Sequence, residues 1–353
     1  VNELAERKKV RATIKEIAQR AGTSIATVSR VLRKVDHPVK PELREQVLQA
    51  AQELNYTPNL IGRFLKSSSS NDIGVIIPTI SNPFYPLLIL GIEEVFDRYG
   101  YNMLLCNSFR NEKKEMNYVE LLRQKQVNGL IIASISSDRE YLQAQIDAGL
   151  RVVTLDQSIE NLNCSKVVID YELCSQMAME HLWANGHRKI GFISAPLSII
   201  SRKLIYSGYV KSLEKYQIPI SPEWLYINDH ETETNGEFYE FENGKNLARR
   251  LFETANRPTA LLVINDMTAY GLMHELTNQN ISIPTDISII SFDNIFFSQV
   301  TTPPLTTIGY STYDMGRLAA ECLIKDMLGE QSEAVDIVIK PELIERKSVH
   351  RLL

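Results

Sequence analysis

The chain has 353 residues, 44% of them hydrophobic and 23% charged, which suits two or three globular domains and excludes a disordered or fibrous chain. The net charge of −5 is unevenly spread: residues 1–66 carry 13 Lys/Arg against 7 Asp/Glu (net +6), and residues 67–353 carry 25 against 36 (net −11). A small basic head precedes a large acidic body, and the two suit different partners. In the head, Thr13 and Glu16 have the spacing of a capping box before the helix IKEIAQRA, which Gly22 ends. Ser24 caps a second helix, IATVSRVL, and two short helices around AGTS read as a helix-turn-helix. A plain helical hairpin is the alternative, and the positive charge weighs against it. A third helix opens at Lys40-Pro41-Glu42 and runs through LREQVLQAAQELNY. The expected head core is Ile14, Ile17, Ala18, Val28, Val31, Val47, Ala51 and Leu54. After Pro58, NLIGRFLK is too short to hold a helix alone, and Ser67–Asn71 reads as a flexible joint.

The phrases TIKEIAQRAGTSIATVSRVL, ELNYTPN and FLKS resemble the head of the lactose-repressor (LacI/GalR) family of bacterial transcription regulators. The resemblance implies a homodimer on pseudo-palindromic double-stranded operator DNA, switched by a small effector, a sugar or sugar derivative. Some members instead answer to a phosphorylated protein corepressor. The second helix would lie in the major groove, and Ile25, Ala26 and Arg30 match the family's base-reading positions. Arg30 can fork onto guanine O6 and N7, whereas Ile25 and Ala26 offer only apolar contact. Thr23, Ser24, Thr27 and Ser29 suit phosphates or helix capping, and Asn55, Tyr56 and Asn59 resemble backbone-contacting positions. NLIGRFLK is similar to the family's hinge helix, which forms on DNA and wedges a leucine, here Leu65, into the minor groove. Gly62 departs from the helix-favouring residue usual there and makes this hinge harder to order.

The body alternates strand and helix from DIGVIIP to DISIISFD. Its short, continuously apolar strands imply parallel sheets covered on both faces. The expected fold class is therefore a small all-α helix-turn-helix head plus an α/β body of two parallel-sheet subdomains, like a periplasmic binding protein. The expected domains are a DNA-binding head over 13–57, a hinge and linker over 58–71, and an effector-binding and dimerisation body over 72–345. The resemblance places chain crossings near 161–165, 293–297 and 328–332. This gives one subdomain of 72–162 plus 296–329 and another of 164–293 plus 331–345.

Ligands bind at the carboxyl ends of strands in such folds. That rule selects Asn82, Phe84, Tyr85, Ser108, Ser201, Asn265, Asp266 and Asp293, and the resemblance adds Arg202 and His230, the latter where relatives often have an aromatic over the ligand. Asp293 resembles the family's ligand-binding carboxylate. Ile205 stands where the family often has an arginine, and Arg202 or Lys203 could substitute. The stretch NDHETETNGEFYEFENGK is longer than usual and rich in acid. It reads as a solvated surface loop, and it would disfavour acidic ligands if it folded over the cleft. No glycine pair forms GxG, and neither GxxxxGK[ST], GxSxG nor HExxH occurs. An enzyme, a cofactor and a metal site are therefore not expected. Cys106, Cys164, Cys174 and Cys322 form no CxxC and read as free thiols in a reducing compartment. No secretory h-region or bilayer-length apolar run appears, so a cytoplasmic protein without a membrane partner is expected. These features favour a DNA-binding regulator, expected from the resemblance to be a repressor, over a sugar-binding module without DNA function.

Overall fold

The computed structural model describes residues 12–32, 39–54, 56, 71–136, 139–156, 159, 161–230, 238–331 and 333–352. These fall into two compact units, one within Val1–Ser68 and the other within Ser69–Leu353. Asn55, Asn59, Leu65 and the expected hinge over 58–66 lie outside the described residues.

The head contains α1 (Ile14–Arg20), α2 (Ile25–Leu32) and α3 (Pro41–Glu53). Thr13 Oγ1 accepts from the Glu16 amide at 3.3 Å, and the Glu16 carboxylate accepts from the Thr13 amide at 2.6 Å. This reciprocal pair satisfies two of the donors that a helix start leaves open. Gly22 takes φ +61°, a left-handed conformation that glycine adopts without a Cβ penalty. Ile17, Ala18, Val28, Val31, Val47 and Ala50 form the buried core, with Ile14, Ala51, Leu54 and Tyr56 packed around it.

The body begins with β1 (Asp72–Ile77), α4 (Phe84–Tyr99), β2 (Asn102–Asn107), α5 (Glu112–Gln124), β3 (Gly129–Ile132), α6 (Arg139–Asp147) and β4 (Arg151–Asp156). It continues through β5 (Ser165–Ile169), α7 (Tyr171–Ala184), β6 (Ile190–Ser194), α8 (Ile200–Lys215), β7 (Leu225–Ile227), α9 (Tyr239–Glu253) and β8 (Ala260–Val263). It ends with α10 (Asp266–Asn278), β9 (Ser288–Asp293), β10 (Thr306–Gly309), α11 (Thr312–Met327), β11 (Asp336–Ile339) and β12 (Glu342–Ile344). Six strands form one all-parallel sheet in the order β11-β5-β4-β3-β1-β2. Six more form a second in the order β12-β10-β9-β8-β6-β7, parallel except for β12 against β10. Central strands such as β3 and β8 are buried along their whole length, as sheets covered on both faces require.

The chain passes between the sheets later than the sequence suggested. β5, expected in the second subdomain, pairs with β4 from Ser165 opposite Val153 to Val168 opposite Asp156. β10, expected in the first subdomain, pairs with β9 in the second sheet. β11, expected in the second subdomain, pairs with β5 in the first. The crossings therefore follow Ile169, Gly309 and Ile339. An apolar run marks a strand but carries no record of which edge it will join. No helix among the described residues is long and apolar enough to cross a membrane. Burial pushes the Cys164 thiol up to about 11 and the Cys174 thiol up to about 12, and no cysteine is in a disulfide.

Candidate functional site

The first site is the exposed face of α2. Ile25 is 53% exposed, Ala26 and Arg30 are exposed, and Val28 and Val31 hold the opposite face in the core. Ser24 Oγ accepts from the Thr27 amide at 3.1 Å and lies 2.9 Å from Thr27 Oγ1. The Ser24 hydroxyl therefore caps the helix, and the Thr27 hydroxyl braces it. Thr23 and Ser29 are half-buried beside them, and Tyr56 rests on the head core.

The second site is a cavity between the two sheets, of about 60 Å³. It is lined at carboxyl strand ends, where elements diverge and leave room. Asn82 stands between β1 and α4, Phe84 and Tyr85 open α4, Arg110 follows β2, Asp156 ends β4 and Tyr171 opens α7 after β5. From the second sheet come Ser201 and Arg202 after β6, Glu240 after β7, Asn265 after β8 and Asp293 at the end of β9. Ile135, Ile199, Ile205 and Ile264 supply apolar wall. Ligand sites usually measure roughly 300–1,000 Å³, so a sugar-sized ring needs the halves to part or side chains to turn aside.

Two carboxyl groups sit among tyrosines. Tyr85 donates to Asp156 Oδ2 at 3.3 Å, and Tyr171 donates to Oδ1 of the same residue. Tyr310 donates to Asp293 Oδ1 at 2.5 Å. Asp156 and Asp293 adopt φ +73° and +104°, turning both strand ends sharply. Burial raises Asp156 to about 6, against the lowering effect of its tyrosine hydrogen bonds. Burial also holds Asp293 well above the usual carboxylate range, with the charge of Asp266 adding to the effect. Phe84 packs edge-on to Tyr85, with ring centroids 4.9 Å apart, so the aromatic wall is braced.

A third carboxylate spans the cavity. Arg110 Nη2 donates to Glu240 Oε1 at 2.6 Å, and both side chains are only 9% exposed. Asn265 Nδ2 donates to the same oxygen at 2.9 Å, and Asn82 Nδ2 donates to Oε2 at 2.8 Å. Arg202 is also buried, with Nη1 donating to the Pro196 carbonyl at 3.0 Å.

Seven of the ten residues read from the sequence meet here: Asn82, Phe84, Tyr85, Ser201, Arg202, Asn265 and Asp293. Three do not line the cavity. Ser108 is wholly buried and its hydroxyl donates to the Ile77 carbonyl at 3.3 Å. His230 is exposed, with its carbonyl accepting from Tyr239 at 3.0 Å. Asp266 is wholly buried and accepts from Ser291, Ser298, Thr307 and the Ile295 amide, so it ties β9 and β10 to α10 instead. Sequence reasoning missed Arg110, Asp156, Tyr171 and Glu240, although the strand-end rule would have reached the first three. Nothing local distinguished Glu240 from the other acids of its segment. No group of three or more potential metal ligands occurs among the described residues.

A family model described as bacterial regulatory proteins, lacI family, matches residues 13–59. A model of a periplasmic binding protein-like domain matches residues 179–349. The HTH-type transcriptional repressor PurR of Mannheimia succiniciproducens is 34% identical over 342 residues, covering 97% of this chain and 99% of the relative. Among solved structures, the lac repressor dimer bound to operator and the anti-inducer ONPF is 26% identical, with a TM-score of 0.81 over 97% of this chain and 100% of that one. A LacI family transcriptional regulator from Enterococcus faecium with bound ribose is 26% identical, with a TM-score of 0.71 over 80% of this chain and 100% of that one.

Proposed function

Because the chain belongs to the lacI family of bacterial regulatory proteins, which are DNA-binding transcription regulators and not enzymes, we propose that it is a repressor whose operator affinity is set by a neutral sugar or sugar derivative in the cavity. The carrying observation is the lining: the aromatic side chains of Phe84 and Tyr85 and the polar side chains of Asp293 and Asn265 meet in one cavity between the sheets. The ribose bound by the Enterococcus faecium regulator supports the ligand class. In this reading Ile25, Ala26 and Arg30 on α2 meet base edges, and the neighbouring hydroxyls set register on phosphates. The body, taken as residues 72–345, binds the effector and carries the dimer contact. The test is calorimetry of wild type and Asp293→Ala with a panel of neutral sugars that begins with D-ribose. Removing the Asp293 acceptor leaves ligand donors unpaired and is expected to weaken binding several-fold to about a hundredfold. Unchanged affinity would remove Asp293 from the site.

A symmetric operator needs two heads, so the proposed assembly is a homodimer. Leu87 and Leu90 on α4, Leu105 on β2 and Leu121 on α5 are 42–58% exposed, and they supply apolar surface for that contact. Light scattering at micromolar concentration is expected to give twice the chain mass of 40.2 kDa. A monomer would refute the assembly.

A further inference from the structure

We propose that Glu240 sets the charge of the effector: it occupies the guanidinium of Arg110 from across the cavity, so uncharged ligands are accepted and carboxylates and phosphates are turned away. This rests on the reading of the cavity as the effector site. Arg110 is the group to which an anionic ligand would bind, because a guanidinium matches carboxylate and phosphate oxygens geometrically. Its Nη2 is instead held at 2.6 Å by the protein's own carboxylate, with both partners nearly buried. The same carboxylate collects the side-chain amides of Asn82 and Asn265. Glu240 thus gathers two donors from the first sheet's loops and one from the second's.

A ligand anion that takes Arg110 Nη2 must displace Glu240. The displaced carboxylate would stay in a small cavity that already holds the carboxyl groups of Asp156 and Asp293. Breaking a buried pair while leaving one charge behind is among the costliest changes a site can undergo. An uncharged polyol needs no such exchange. It can use the remaining oxygen acceptors with the Arg110–Glu240 pair intact. The acidic stretch NDHETETNGEFYEFENGK, which read from sequence as solvated surface, therefore delivers one residue, in the first turn of α9, into the site.

The experiment follows thermal unfolding of the full chain against inorganic phosphate at constant ionic strength, for wild type, Glu240→Gln, Glu240→Ala and the double variant Arg110→Ala/Glu240→Ala. Both single variants are expected to show a saturable rise in unfolding midpoint, with phosphate bound at least tenfold more tightly than by wild type. The double variant is expected to lose that gain. Glu240→Gln keeps an amide oxygen for the neighbouring donors and serves if the alanine variant does not fold. The proposal is overturned if wild type responds as strongly as the folded single variants, or if the double variant responds as they do. These arms do not depend on Asp293. If no sugar of the panel binds wild type while the phosphate response appears, the effector-site reading fails and the charge gate at Arg110 stands.

Discussion

Asp266→Ala is expected to cost about 3–5 kcal/mol of stability near pH 4.5, and distinctly less near pH 7.5. The carboxyl of Asp266 accepts from three hydroxyls and the Ile295 amide in a fully buried position. Alanine leaves that amide without an acceptor, since backbone cannot turn away, and strands at least one hydroxyl. Each buried donor left unmade costs ~1–3 kcal/mol. The pH dependence follows from the raised pKa. Burial lifts Asp266 from 3.8 to about 6, and its hydrogen bonds only partly oppose that. Between about pH 4 and 6 the folded state holds a proton that the unfolded state has released. Wild-type stability from this group therefore falls as pH rises through that window, then levels off above it. A shift of this size corresponds to ~3 kcal/mol. The alanine variant lacks this dependence, so the gap between the two proteins should narrow from pH 4.5 to 7.5. Asp156 carries a similar shift, but it is present in both proteins and cancels in the difference. Urea unfolding of both proteins at the two pH values is the measurement. A gap that widens with pH would contradict this account of the buried carboxyl.

Gly271→Ala is expected to destabilise the body by ~1–3 kcal/mol and to weaken effector binding as well. At the crossing of α9 and α10, a Cβ on Gly271 would press into the Phe241 carbonyl, and one on Gly244 into the Thr268 carbonyl. Both obstacles are backbone, so neither can rotate out of the way. Alanine would gain ~1 kcal/mol in helix propensity, but overpacking against backbone opposes it and forces the helices apart. The consequence for the site is geometric. Glu240 lies in the first turn of α9, and Asn265 caps α10, with its Oδ1 accepting from the Thr268 amide at 2.8 Å. Separating these helices lengthens the Asn265–Glu240 contact, now 2.9 Å. Denaturant unfolding reads the first effect and sugar calorimetry the second. Stability equal to wild type would mean that the crossing can relax.

Local chemistry by itself determined the head and the element pattern. The Thr13–Glu16 box, the left-handed turn at Gly22 and the inward stripe of Val28 and Val31 act within a few residues of chain, so their sequence spacing is their geometry. The apolar strands of the body were equally legible up to β9, and the sequence reading located seven of the residues that line the cavity. The short β10, β11 and β12 were not foreseen as strands: β11 is a half-exposed edge without the continuous apolar run that marked the others. Tertiary structure alone decided which sheet β5, β10 and β11 would join, because a strand's own residues do not specify its partner, which lies 12 residues away for β5, 16 for β10 and 170 for β11. It also separated two aspartates that look alike in sequence, each at a strand's carboxyl end. At Asp293 a φ of +104° accompanies a carboxyl at the cavity wall, whereas Asp266, the first residue of α10, turns inward onto hydroxyls of β9 and β10. Glu240 is the clearest case. Its role comes from Arg110, 130 residues earlier, and only the folding of the two sheets against each other brings those charges together.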